Sequence, residues 1–221
     1  MVLLFQVQRP GADDRLHSGR CTVNLCGVLR GRAGITGALP HASMPHASGR
    51  LTVKDNGTCV NAVACGFMEH GTGACVLSGA FLVARDSTTG GNEHAGFEAH
   101  GANSWVLLKG CVSSGDVLGC VAMEGGSLEA TSCQADSAVQ DGFFVPAGGS
   151  SHMSLIQRSA TGCGQNGACV SGAGKLSTDK CTFQLNGEGG VVVEGEHAVA
   201  EIHDCTSLGN TVGYVLRTVE R

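Results

Sequence analysis

Gly190-Val191-Val192-Val193 works as a ruler for the whole chain. A step of 23 residues back reaches Gly167-Ala168-Cys169-Val170, and a step of 25 from there reaches Gly142-Phe143-Phe144-Val145. Steps of 23 then give Gly119-Cys120-Val121-Ala122, Gly96-Phe97-Glu98-Ala99, Gly73-Ala74-Cys75-Val76 and Arg50-Leu51-Thr52-Val53. Two more reach Gly27-Val28-Leu29-Arg30 and Leu4-Phe5-Gln6-Val7, and one step of 23 forward gives Gly213-Tyr214-Val215-Leu216. One register therefore holds from residue 4 to residue 216, with a single departure from 23. A fixed period of this length marks a repeat array, so residues 1–221 read as one repeat domain.

Residue types within the unit say which array it is. The column one residue after the anchor holds Leu51, Ala74, Phe97, Cys120, Phe143, Ala168, Val191 and Tyr214. The column three residues after it holds Val53, Val76, Ala99, Ala122, Val145, Val170, Val193 and Leu216. Both are apolar, whereas the column between them admits Thr52 and Glu98. That is the two-residue period of a strand, with the first and third positions facing inward. A Gly follows (Gly79, Gly101, Gly125, Gly148, Gly172, Gly195) and supplies a turn. A second short strand comes next, as in Val106-Leu107-Leu108, Leu128-Glu129-Ala130 and Ala200-Glu201-Ile202. It leads to a small-residue column, Cys65, Ser87, Cys111, Cys133, Ser159, Cys181 and Cys205, and then to a polar closing turn.

Two or three short strands per unit without helical periodicity predict an all-β parallel solenoid of about nine coils, stacked at the ~4.8 Å strand spacing. The general handedness of parallel crossovers favours a right-handed coil. A leucine-rich repeat is the rival at this period, but no unit shows its L-x-x-L-x-L-x-x-N run. The units, an anchor Gly and apolar strand followed by Gly and a Cys-containing turn, resemble coils of the right-handed parallel β-helix, or pectin-lyase-like, superfamily. They are most similar to the short CASH-type repeats of some F-box substrate receptors and cytoskeleton-associated proteins.

Composition agrees with such a fold: 35 Gly, 4 Pro, 4% aromatic and 42% hydrophobic residues, with no collagen period. The net charge of −5 and the scattered Lys and Arg argue against nucleic acid as a partner. No apolar run approaches a membrane span, and Met1-Val2-Leu3-Leu4-Phe5 is too short for a signal-peptide core. The 12 Cys include no C-x-x-C pair, which favours a reducing compartment over a disulfide framework.

The resemblance raises an enzymatic reading, because the superfamily includes pectate lyases, polygalacturonases and uronan epimerases. Of their Asn-Thr-Asp, Asp-Asp, Gly-His-Gly, Arg-Ile-Lys and Asp-Pro-His-Glu elements, the sequence offers only Asp13-Asp14 near its start. Asp204 falls in step with Lys180 and reads as a cross-strand charge pair. Cys205, between Asp204 and Thr206, reads as a rung in a packing ladder rather than a nucleophile. No catalytic residue, cofactor or metal ligand set is assigned.

The closing turns carry His70, Glu93, His94, Asp116, Asp141, Asn166, Glu188 and Asn210, which stack as a polar, largely acidic stripe. Of these, His70, Glu93, His94, Asp116, Asp141 and Glu188 are the candidate partner-binding residues. His41 to Ser48, a local duplication around Pro45, predicts an exposed loop. No amphipathic capping helix is evident at either end, which suggests a fragment of a longer protein, or end-to-end contacts with another chain or further coils. The expectation is a non-catalytic scaffold that binds other proteins, without nucleic acid or membrane, in the cytoplasm, with a cytoskeletal or ciliary setting by analogy. A carbohydrate-active or carbohydrate-binding module is the alternative, and Trp105, the single Trp, supports it weakly.

Overall fold

A computed structural model describes residues 21–28, 32–36, 50–54, 56, 58–69 and 71–217, the first two stretches by their backbone alone. Every element is a strand, and every strand pairing is parallel. Each turn of the chain visits three rows of strands in succession, one forming a nine-stranded sheet and the other two joined through a shared strand into a 14-stranded sheet.

The first sheet has nine strands, of which Thr72–Leu77, Ala95–His100, Leu118–Met123 and Gly189–Glu194 are the longest internal members. Its register is the predicted one: Leu51 pairs with Ala74, Ala74 with Phe97, Phe97 with Cys120, Cys120 with Phe143, Phe143 with Ala168, and Ala168 with Val191. The second row runs through Phe81–Arg85, Trp105–Lys109, Ser127–Thr131, His152–Ile156, Lys175–Asp179 and Val199–His203. The third uses three-residue strands, from Thr88–Gly90 and Val112–Ser114 to Thr206–Leu208. Thr58–Met68 crosses both rows, pairing with Phe81–Arg85 through Cys59–Val63 and with Thr88–Gly90 through Gly66–Met68. Between those segments Ala64 takes φ 52°, the left-handed value that makes the corner.

That corner recurs as a column of Asp86, Gly110, Ser132, Gln157, Lys180 and Asp204, all with positive φ. A second such column, Glu69, Gly91, Gly115, Ser137, Gly162, Leu185 and Gly209, closes the turn. The predicted turn glycines Gly79, Gly101, Gly125, Gly148, Gly172 and Gly195 all have positive φ as well. The side chains directed inward from the three rows form one continuous apolar cluster from Leu51 to Val193, with Phe67, Phe97, Phe143 and Phe183 its largest members. Phe67 and Phe97 meet edge to face at 6.4 Å, a favourable aromatic geometry.

Four expectations change. Seven complete turns run from Arg50 to Leu208, rather than about nine coils along the chain. Before residue 50 the step of 23 fails: Arg32–Thr36 pairs with Arg50–Lys54, and Cys21–Val28 pairs with Thr58–Gly66. This register sets Ala33 and Ile35 beside Leu51 and Val53, whereas a step of 23 would have set Arg30 beside Val53. In the corner column the rung after Cys133 is Arg158, not Ser159, because Gln134 pairs with Ser159. The two extra residues of that turn lie before His152–Ile156, so this strand and Ser159–Thr161 stand 25 residues after their partners, and the step returns to 23 at Lys175 and Thr182. Finally, Lys180 pairs with Asp179 at 3.6 Å rather than with Asp204.

Candidate functional site

The closing-turn stripe divides on inspection of its side chains. Glu93, His94 and Glu188 are exposed. Asp116 is fully buried and Asp141 nearly so, which corrects their placement on a solvated edge. His70 and the His41–Ser48 duplication lie outside the described residues.

The inward turn of Asp116 has a local cause. Gly115 at positive φ reverses the chain, so the next side chain enters the interior, where the corner leaves backbone groups without ladder partners. Asp116 Oδ1 accepts from the Asn92 backbone N–H at 2.8 Å and from Asn92 Nδ2 at 2.7 Å, and Oδ2 accepts from Thr89 and Ser113 hydroxyls at 2.7 and 2.6 Å. Asn186 and Asn210 repeat the arrangement, Asn186 donating to Asn210 Oδ1 from its backbone at 2.8 Å and its side chain at 2.9 Å. In a neighbouring column Asn166 donates to Asp141 Oδ1 in the same way, and burial pushes the Asp141 carboxyl up. These are internal polar ladders that satisfy buried backbone.

His94 instead joins a cluster on the outer side of the first sheet. Glu98 is the outward residue between Phe97 and Ala99, yet its side chain is only 7% exposed. In its column Cys75, Val121, Cys169 and Val192 are buried too, and Val121 forms a second apolar cluster with Ala95 and Leu118. The carboxylate is held by His94 Nδ1 at 3.4 Å, His100 Nδ1 at 3.1 Å and the Thr72 hydroxyl at 3.3 Å. His100 Nε2 reaches Glu124 at 2.9 Å. Burial opposes the charged imidazolium, but the hydrogen bonds and charges of Glu98 and Glu124 outweigh it and carry His100 above the ordinary histidine value of 6.5.

Chemically, this is a proton-holding site. Glu98 and Glu124 share one imidazole, so they do not face each other across an open cleft as a glycoside-cleaving carboxylate pair does. The exposed Trp105 lies elsewhere, meeting the half-buried Phe81 edge to face at 5.5 Å on the second row. Among the described residues no group of three or more His, Cys, Asp or Glu could hold a metal ion. Part of the cluster was legible, because Glu98 and His100 alternate onto one strand face; Glu124 came into reach only through the stacking of the next turn.

A parallel stack of three-strand turns around one apolar interior defines the class: a β-solenoid. A family model described as a right handed beta helix region matches residues 50–207, and the chain belongs to that family. No curated protein and no solved structure matches it. Among the described residues no helix is long and apolar enough to cross a membrane.

Proposed function

We propose that the chain is a non-catalytic scaffold, a rigid rod that binds other proteins through its surface rows and its open face. Seven turns at ~4.8 Å give a rod about 34 Å long. The observation that carries the reading is the last turn. Tyr214 and Leu216 stand in the two inward columns, paired with Val191 and Val193, yet they are 46% and 70% exposed. Ile202 and Leu208 of the turn before it are exposed too. Within the described residues this apolar face, edged by strands paired on one side, supports a protein partner docking there. Cys111, Cys133, Cys181 and Cys205 of the corner column form no disulfide, which supports a reducing compartment such as the cytoplasm, and a cytoskeletal setting suits a rod of this kind.

The test compares the chain with a Tyr214→Glu/Leu216→Glu variant as bait in native extract, beside incubation with acidic polysaccharides. A recurring protein captured by the parent chain and lost with the variant is the expected result. Release of new reducing ends from a polysaccharide overturns the scaffold reading.

A further inference from the structure

The outer face of the second row carries a pattern that the fold itself does not use. Phe81 pairs with Trp105, Val83 with Leu107 and Arg85 with Lys109, so three outward columns cross two adjacent strands. The residues between them, Leu82, Ala84, Val106 and Leu108, are wholly buried in the interior, and alternation turns the other six outward. The face thus runs from an aromatic pair through an apolar pair to a pair of exposed cations.

The chain satisfies neither end of this face. Trp105 is 43% exposed, with its ring fixed edge to face by Phe81 at 5.5 Å. Like charges set side by side across two strands repel, and Arg85 and Lys109 stand in that position. Among the described residues neither side chain makes an ion pair, whereas Lys180 pairs with Asp179 and Arg217 with Glu188 and Glu194. The acids closest in register do not supply the missing charge: Asp86 lies over Gly110 in the corner, and Glu129 stands beside Leu107. In a chain of net charge −5 this is a local positive site that lacks its counter-charge.

The register also selects how a partner would bind. Phe81–Arg85 pairs with residues 59–63 on its other side, and Trp105–Lys109 pairs with Ser127–Thr131. Their backbone groups are engaged on both sides, so a ligand meets this face through side chains and not as an added strand. Trp105 and Lys109 are four residues apart, about 13 Å at the rise of a strand. An extended peptide has the same rise and shows every second side chain on one side, so its residues i, i+2 and i+4 match the three columns. Aromatic and arginine side chains are the types that anchor protein interfaces. The middle column, Val83 and Leu107, gives sugar hydroxyls no hydrogen bond but receives an apolar side chain.

We propose that this face docks an extended acidic peptide segment of a partner protein. An apolar residue packs on Trp105 and Phe81, a second covers Leu107, and a carboxylate four positions from the first pairs with Arg85 and Lys109. The inference rests on the scaffold reading and gives it a contact surface separate from Tyr214 and Leu216.

Trp105, the single Trp of the chain, is the reporter for the test. The full chain is titrated with a synthetic peptide containing Phe-Ser-Leu-Ser-Glu-Glu, with its counterpart carrying Lys in place of Glu, and with polygalacturonate. Polarisation of the fluorescein-labelled peptides measures binding to the variants. A saturable change in Trp105 emission with the acidic peptide alone is expected, weakened at about 0.5 M salt. Arg85→Glu/Lys109→Glu should lose about tenfold in affinity for the acidic peptide and bind the Lys peptide instead, a reversal that a misfolded variant does not show. Tyr214→Glu/Leu216→Glu should bind the acidic peptide as the parent does. Equal binding of the two peptides, or a Trp105 response to the polysaccharide alone, overturns the proposal. If the acidic peptide fails to bind while capture from extract still depends on Tyr214 and Leu216, this inference falls and the scaffold reading stands.

Discussion

His100 shows how one side chain couples two turns. It holds Glu98 of its own strand and Glu124 of the next turn, and its pKa is raised above 6.5. A group whose folded pKa lies above its unfolded value contributes stability that is complete below the unfolded pKa. The contribution is lost as pH rises through the folded value. Thermal stability attributable to His100 is therefore expected to fall as pH climbs from about 6 toward 8. Glu124→Gln should lower the His100 pKa and flatten that dependence; an NMR titration in which His100 is unmoved by Glu124→Gln would falsify the coupling. Single residues were the hardest features to read in the sequence. Asp116 and Asp141 look like surface acids because they sit in glycine-bearing turns, and a one-residue left-handed corner decides whether the next side chain faces water or the interior. Residue type carries no signal of that choice. Glu98 is a similar case: alternation places it outward, but does not show that the outward face around it, with Cys75 and Val121, is itself buried.

The strand-and-turn unit is where sequence and structure agree most closely, for a steric reason. In the anchor column a Cβ added to Gly73, Gly96 or Gly167 would lie 2.7 Å from the carbonyl oxygen of Gly96, Gly119 or Gly190 in the next turn. Gly119 stands against the Gly142 carbonyl in the same way. From Gly73 to Gly190 the ruler is legible because each anchor faces the next anchor's backbone, which leaves no room for a larger residue. The corner glycines are kept for another reason: Gly115 has φ 66° and nothing near its Cβ position. The two causes separate by substitution. Gly115→Asn should cost less than about 1 kcal/mol, since Asn tolerates the left-handed region. Gly119→Asn should cost at least the roughly 1–3 kcal/mol of an overpacked core. Urea denaturation of both variants decides this, and equal losses would show that the anchor column is not sterically closed. The strand register was legible because apolar columns survive the longer turn at Pro146–Ser151. The Arg158 rung was not, because a small residue, Ser159, stands beside it and a column of small residues invites the wrong choice.

Across the whole molecule, stability is a sum of each turn's own strength and its contacts with the turns on either side. Interior turns, such as the one containing Leu118–Met123 and Ser127–Thr131, pair with strands on both sides. The turn of Val199–His203 and Thr206–Leu208 pairs on one side within the described residues, and its exposed Val199, Ile202 and Leu208 leave much of its apolar surface in water. Burial is worth roughly 25 cal/mol per Å² of apolar surface, so this turn lacks the largest favourable term that its neighbours have. Opening should therefore be graded along the rod rather than all-or-none. Native-state hydrogen exchange is expected to show the slowest amides in the strands between Ala95 and Thr131. Protection should decline toward residues 199–217, and Leu128→Ala should accelerate exchange most in the turns that touch it. The same experiment bears on the open face, because a partner that docks there covers Tyr214 and Leu216 and should raise protection first in Val212–Arg217. Uniform protection along the rod in the free chain would mean that the turns unfold as one cooperative block, and the nearest-neighbour account of this solenoid would then fail.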